Sequence, residues 1–196
     1  GIKSFFHFLI MADYREDDPS ELLEGPKIGF KLPEVLTVEE IDTIIATVDM
    51  SKKEGQRNRA ILETLYSCGL RVSELCNLKL SELYFDEGFI KVEGKGSKQR
   101  ILYLNDACRD ALKSYLKVRP GNAKSKDADA LFISRNHNRM SVKTVQYMIY
   151  QRLKQSDLGN LHMSVHKLRH TAATLMYKYG KTDVRVLKDI LGHEEM

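Results

Sequence analysis

Cysteine, proline and long apolar runs are all scarce in this 196-residue chain, and each shortage excludes a class of protein. The three cysteines, Cys68, Cys76 and Cys108, are an odd number without metal-ligand spacing, which argues against a disulfide framework and against a cysteine zinc site. The longest apolar stretch, Phe5 to Met11, is seven residues and includes His7, whereas a membrane-crossing helix needs roughly 20. No basic-then-apolar leader with a small-residue cleavage site opens the chain. A reduced, cytoplasmic protein without a membrane partner is therefore expected. With 42% hydrophobic and 30% charged residues, the composition supports one sizeable core and excludes wholesale disorder.

Charge is small in sum but segregated. The chain carries 31 Lys+Arg against 27 Asp+Glu, a net +4. Residues 1–36 hold 4 basic and 7 acidic side chains, so residues 37–196 hold 27 and 20, a balance of +7. From Lys91 to Lys126 there are 10 basic and 3 acidic residues, and from Ser134 to Lys181 there are 9 basic residues against Asp157 alone. Such patches neutralise phosphates, which makes nucleic acid the expected partner; a merely solvated basic face has the same composition. Lys91, Lys98, Arg100, Arg139, Lys143 and Lys167 are the candidate DNA-contacting residues in these stretches.

Ile2 to Met11 reads as an amphipathic helix with Phe5, Phe6, Leu9 and Ile10 apolar. Three of the four prolines, Pro19, Pro26 and Pro33, then mark a linker. Thr37 and Glu40 have capping-box spacing ahead of Ile41, Ile44, Ile45 and Val48, so the main domain begins there with a helix. A second helix is expected from about Arg57 to Ser67, ended by Gly69, and a short one over Arg71 to Leu78. Residues 89–92 and 100–104 are β-prone runs joined by Glu93-Gly94-Lys95-Gly96-Ser97-Lys98-Gln99, a glycine-containing hairpin turn. Asn105 caps a helix over Asp106 to Val118, broken by Pro120-Gly121. Further helices are expected at about 141–154, 165–179 and 183–191. Tyr147, Tyr150, Tyr177, Tyr179 and the methionines are expected at core or core-edge positions. The fold class is mainly α with one small antiparallel β-hairpin.

Four short segments carry chemistry. In Val165-His166-Lys167-Leu168-Arg169-His170, His166 and Arg169 share one helical face, and an arginine fork beside an imidazole suits a phosphate. His162, His166 and His170 recur every four residues as in a metal site, but no carboxylate is near and Lys167 and Arg169 oppose a cation. Arg71 and Glu74 are three apart at a helix start, where the glutamate either supports a functional arginine or forms an ordinary surface ion pair. Lys95 lies between Gly94 and Gly96, on a turn able to approach another chain closely, as a general acid or as a plain turn lysine. Leu191-Gly192-His193 closes the last helix.

Taken in order, Leu70-Arg71-Val72-Ser73-Glu74-Leu75, Gly94-Lys95-Gly96, His166-Lys167-Leu168-Arg169-His170 and Leu191-Gly192-His193 resemble the catalytic domain of tyrosine site-specific recombinases of the Xer-like type, also called phage-type integrases. The resemblance implies that residues 1–18 are the end of a core-binding (SAM-like) domain, 19–36 a linker and 37–196 a catalytic domain with that family's DNA breaking-rejoining fold. It implies strand cleavage and rejoining through a 3′-phosphotyrosyl intermediate, without ATP, metal or other cofactor. Arg71 and Arg169 would clamp the non-bridging phosphate oxygens, Lys95 would protonate the leaving 5′-oxygen, His166 would assist proton transfer and His193 would hydrogen-bond the phosphate, with Glu74 in support. The family's nucleophile lies about nine residues past the last motif histidine. The expectation is thus that the tyrosine falls beyond Met196 and that these 196 residues bind DNA without cleaving it. The implied partners are a double-stranded recombination site and further protomers, four on paired sites. A DNA-binding accessory module and a metal-dependent nuclease are the alternative readings.

Overall fold

The computed structural model describes residues 1–24, 35–94, 97–121, 124–158, 165–180 and 191, with backbone alone for Ser125, Val165, His166 and Gly180. The chain divides into two compact units, Gly1–Pro33 and Glu34–Met196. In the first, helix α1 spans Ile2–Met11 and buries none of its residues; Phe5, Phe8 and Met11 are exposed.

The second unit runs α2 (Val38–Ala46), α3 (Lys53–Cys68), α4 (Val72–Asn77), β1 (Leu83–Tyr84), β2 (Phe89–Glu93), β3 (Gln99–Tyr103), α5 (Asp106–Val118), α6 (Val142–Gln155) and α7 (Val165–Gly180), with single 3₁₀ turns at Leu80–Glu82 and Ser125–Asp127. The caps follow from side chains. Thr37 Oγ1 accepts from the Glu40 N–H at 3.2 Å while Glu40 accepts from the Thr37 N–H at 2.8 Å, closing a capping box on α2. Asn105 and Ser141 likewise accept the third N–H of α5 and α6.

Helix α3 starts one turn earlier than its apolar spacing predicts. Gly55 permits this, because a Cβ there would lie 1.8 Å from the Asp49 carbonyl oxygen, so the preceding turn packs directly on the helix backbone. With eight buried residues, α3 is the spine of the core and packs on α5 and α7. Its end is set by Gly69 at φ 57°, ψ 34°, a left-handed C-cap.

The expected hairpin is the outer part of a three-stranded antiparallel meander in the order β1-β2-β3, because Leu83–Tyr84 adds a short strand to β2. The register pairs Ile90 with Leu102 and Val92 with Arg100. Period-two alternation turns Ile90, Val92 and Leu102 into the core, and Arg100 with them, whereas Ile101 and Tyr103 face outward.

One expectation about the core is corrected. Met140 and Met148 are buried, but Tyr147, Tyr150, Tyr177 and Tyr179 are more than half exposed. The buried face of α6 is Val145, Met148, Ile149 and Leu153, and that of α7 includes Leu168 and Ala172, which leaves the tyrosines on other faces of the helices. The helix expected at 183–191 lies outside the described residues apart from Leu191.

Candidate active site

The site grows from the start of α4. Arg71 is its N-cap, with extended backbone at φ −69° and ψ 148°, and Glu74 occupies the third helical position, where its Oε2 accepts from the Arg71 N–H at 2.9 Å. The same carboxylate also takes the Arg71 side chain, Nη1 to Oε1 at 2.8 Å. The i,i+3 spacing legible in the sequence thus becomes a doubly bonded turn.

Two further guanidiniums reach Glu74 from other elements. Arg100 on β3 binds both oxygens, Nη1 to Oε1 at 3.1 Å and Nη2 to Oε2 at 2.8 Å, in the fork geometry that a lysine cannot reproduce. Arg169 on α7 places Nη1 at 3.6 Å from Oε2. Glu74 is 6% exposed and Arg169 7%, so among the described residues one buried carboxylate faces three cations.

Burial and the neighbouring charges together set the titration of the groups. Burial pushes the Glu74 carboxyl up, but the hydrogen bonds from Arg100 and Arg71 outweigh it and hold the group below its ordinary value. Arg169 is lowered to about 10, by burial first and then by repulsion from Arg71, with Glu74 opposing. Both remain charged at neutral pH.

Helix α7 is seated by its own contacts. Thr171 is buried and its Oγ1 accepts the Leu36 N–H at 3.1 Å. Arg169 Nη2 donates to the Leu191 carbonyl. Leu191 in turn lies against Gly69, where an added Cβ would sit 3.1 Å from its Cδ2. The glycine that ends α3 therefore also makes room for the residue that holds Arg169.

Of the expected site residues, the structure brings Arg71, Glu74 and Arg169 together. Lys95 and His193 lie outside the described residues, and of His166 the backbone alone is described, in the first turn of α7. Of the histidine ladder, His162 and the His166 side chain likewise lie outside the described residues, and His170 is exposed. Among the described residues no group of three histidine, cysteine or carboxylate side chains forms a metal site.

The expected DNA-contact residues divide. Lys143 is exposed on the first turn of α6, Lys98 is exposed at the hairpin root, and Lys167 is half-buried on α7. Lys91 is on the outer face of the sheet, with Nζ 3.2 Å from the Tyr84 hydroxyl and 4.8 Å above its ring centre. Arg100 and Arg139 are engaged within the protein. Arg100 is turned inward onto Glu74, and Arg139 donates to the Cys76 and Leu78 carbonyls at the end of α4 while facing Asp127 at 3.8 Å. A cleft of about 390 Å³ beside the cluster is lined by Glu74, Asn77, Glu93, Gly94 and Arg139 among others.

The place of Arg100 in the site was missed in the sequence, although a signal was there. If Leu102 is read as core-facing, strand alternation puts Arg100 on the same face two residues away. Chemically, the described residues of the cluster offer three guanidiniums around one engaged carboxylate, a complement to a phosphate and not to a cation.

Comparison with known proteins gives the same direction. The model of the phage integrase family matches residues 34–196. Tyrosine recombinase XerC of Caldanaerobacter subterraneus subsp. tengcongensis is 45% identical over 197 residues, covering 100% of this chain and 54% of that protein. Tyrosine recombinase XerD of Staphylococcus aureus is 37% identical over 196 residues, covering 100% of this chain and 66% of that protein. The chain thus spans between about half and two thirds of the length of these relatives. Among solved structures, XerA recombinase superposes with a TM-score of 0.74 at 34% identity over 99% of this chain and 66% of its own. XerH site-specific recombinase bound to palindromic difH substrate, in a post-cleavage complex, gives 0.74 at 27% identity over 87% of this chain and 49% of its own. Sequence and fold together show that the chain belongs to the phage integrase family.

Proposed function

We propose that this chain is the catalytic part of a DNA strand-exchange enzyme that cuts and rejoins a recombination site through a 3′-phosphotyrosyl intermediate. The observation that carries this reading is the meeting of Arg71 and Arg169 at the buried carboxylate of Glu74. Two guanidiniums held in place before the substrate arrives stabilise the charge that grows on a phosphorane, and removing one such donor costs on the order of 100-fold or more in rate. They supply the neutralisation that paired metal ions supply in other nucleases. Because the phosphodiester energy is kept in the protein–DNA bond, ATP is not consumed.

In this reading Arg71 and Arg169 hold the non-bridging oxygens, Lys95 protonates the leaving 5′-oxygen, His166 moves the proton of the attacking tyrosine and His193 hydrogen-bonds the phosphate. Glu74 keeps the arginines in place. Residues 1–18 close a core-binding domain, 19–36 link it, and 37–196 form the catalytic domain. The partners are a double-stranded site and other protomers, as XerH is described with its difH substrate. No helix among the described residues is long and apolar enough to cross a membrane, and the proposed location is the cytoplasm, on nucleoid DNA.

The test is a nicked suicide duplex incubated in EDTA with the protein expressed to the end of its own gene, read as a covalent adduct on a denaturing gel. Arg169→Ala and the 196-residue polypeptide serve as controls. An adduct from the wild type alone supports the reading. Salt-sensitive binding without any adduct turns it into that of a DNA-binding accessory module, and an adduct-free cut abolished by EDTA would mean a metal nuclease.

A further inference from the structure

Arg100, a candidate DNA contact in the sequence, turns its guanidinium onto Glu74. Its side chain is 13% exposed and engages both carboxylate oxygens from β3, an element separate from α4 and α7. The pair lies under the root of the β2–β3 hairpin. A Cβ on Gly94 would sit 3.2 Å from Arg100 Nη1 and 3.7 Å from Glu74 Oε1, while the Gly94 N–H donates to the Lys98 carbonyl at 2.9 Å to close the hairpin's neck. Glycine at 94 lets the neck rest on the ion pair. Lys95 is the next residue in the chain.

We infer that Arg100 is a positioning residue: by gripping both oxygens of Glu74 it locks the neck of the Lys95 hairpin onto the turn that presents Arg71. This rests on the strand-cleaving reading of the site. Glu74 is the shared anchor. It joins the start of α4 to β3 through the fork and faces α7 through Arg169, so the three elements hold one geometry only while the carboxylate is charged. A single ammonium at position 100 meets one oxygen at a time and leaves the neck free to pivot.

The groups facing Glu74 among the described residues are Arg71 from α4, Arg100 from β3 and Arg169 from α7. Loss of the Arg100 hydrogen bonds leaves burial less opposed, so the carboxyl takes up a proton at higher pH than in the wild type. A role confined to stability would not move the pH dependence of cleavage.

The experiment uses the full-length gene product, with Arg100→Lys and Arg100→Met compared with the wild type. Duplex affinity, single-turnover adduct rate as a function of pH, and thermal melting are measured separately. The expected result is duplex affinity within about threefold of wild type, since the Arg100 guanidinium is directed at Glu74, with adduct rates reduced by between about 10- and 100-fold, the cost of a misplacement near 1 Å. The acid limb of the Arg100→Met rate profile moves upward. Should Arg100→Met fail to fold, Arg100→Lys decides by the same split between rate and affinity. A wild type that cleaves while both variants cleave at its rate and with its pH profile overturns the role of Arg100 alone. Loss of duplex affinity in proportion to loss of rate also overturns it, in favour of a DNA contact. A wild type that forms no adduct overturns the strand-cleaving reading and this inference with it.

Discussion

Glu74→Gln preserves the shape at the centre of the cluster and deletes its shared carboxylate charge. The wild-type carboxylate lies 2.8 Å from Arg71, 2.8 Å from Arg100 and 3.6 Å from Arg169. At an effective dielectric near 20, each 2.8 Å pair represents about 6 kcal/mol of bare attraction, most of it offset by the desolvation of both partners. What decides the outcome is what stays behind: three guanidiniums deprived of the carboxylate they share, where loss of one partner of a buried pair costs about 3–5 kcal/mol. Arg71 is about one-third exposed and partly screened, so the lower end, about 3 kcal/mol, is expected. For a chain of this size that corresponds to a fall of about 6–12 °C in Tm. The Glu74 carboxyl lies below its ordinary value in the folded protein, so its contribution is complete above the unfolded carboxylate range and disappears as pH falls through the folded value. Urea unfolding of wild type and variant at a series of pH values checks both. A gap below about 1 kcal/mol at pH 7, or one that persists in acid, would refute the idea that a single carboxylate organises the three arginines.

Other consequences follow from single contacts. Gly69→Ala forces a side chain into φ 57° and against Leu191, so a loss of about 1–2 kcal/mol is expected; Gly69→Asn recovers part of it, read by thermal melting. Glu63 is buried with Arg59 3.6 Å away, and burial raises its carboxyl above the ordinary value. Its stabilising effect is therefore greatest in acid and lost as pH rises through the folded value, so Glu63→Gln gains on wild type in Tm with rising pH; a growing deficit would contradict this. If the exposed basic residues face DNA, log affinity falls linearly with log salt by about 0.9 per phosphate, and Lys143→Ala lowers that slope by about 1. Arg139→Ala, by contrast, strips the α4 carbonyls of their donor and should lower Tm more than it changes the slope.

Much of this protein was written in local order along the chain. Helix starts at Thr37, Asn105 and Ser141 follow from side chains that accept their own helix N–H groups, and the Gly69 stop follows from a conformation that other residues adopt at a cost. The Arg71–Glu74 pairing was legible because three residues is less than one helical turn, and the order of the four motifs along the chain indicated the family. Tertiary structure alone decided what shares Glu74. Arg100 and Arg169 are 26 and 95 residues from it, distances over which neither period nor propensity acts, and they meet it only because β3 pairs with β2 in one register and α7 packs on α3. Strand parity then assigned Arg100 to the inside, where its charge organises the site, and helix phase assigned the tyrosines of α6 and α7 to the outside. Local signals describe how each segment folds; which faces meet is settled by the burial of apolar surface across the whole chain, and the site is a product of those meetings.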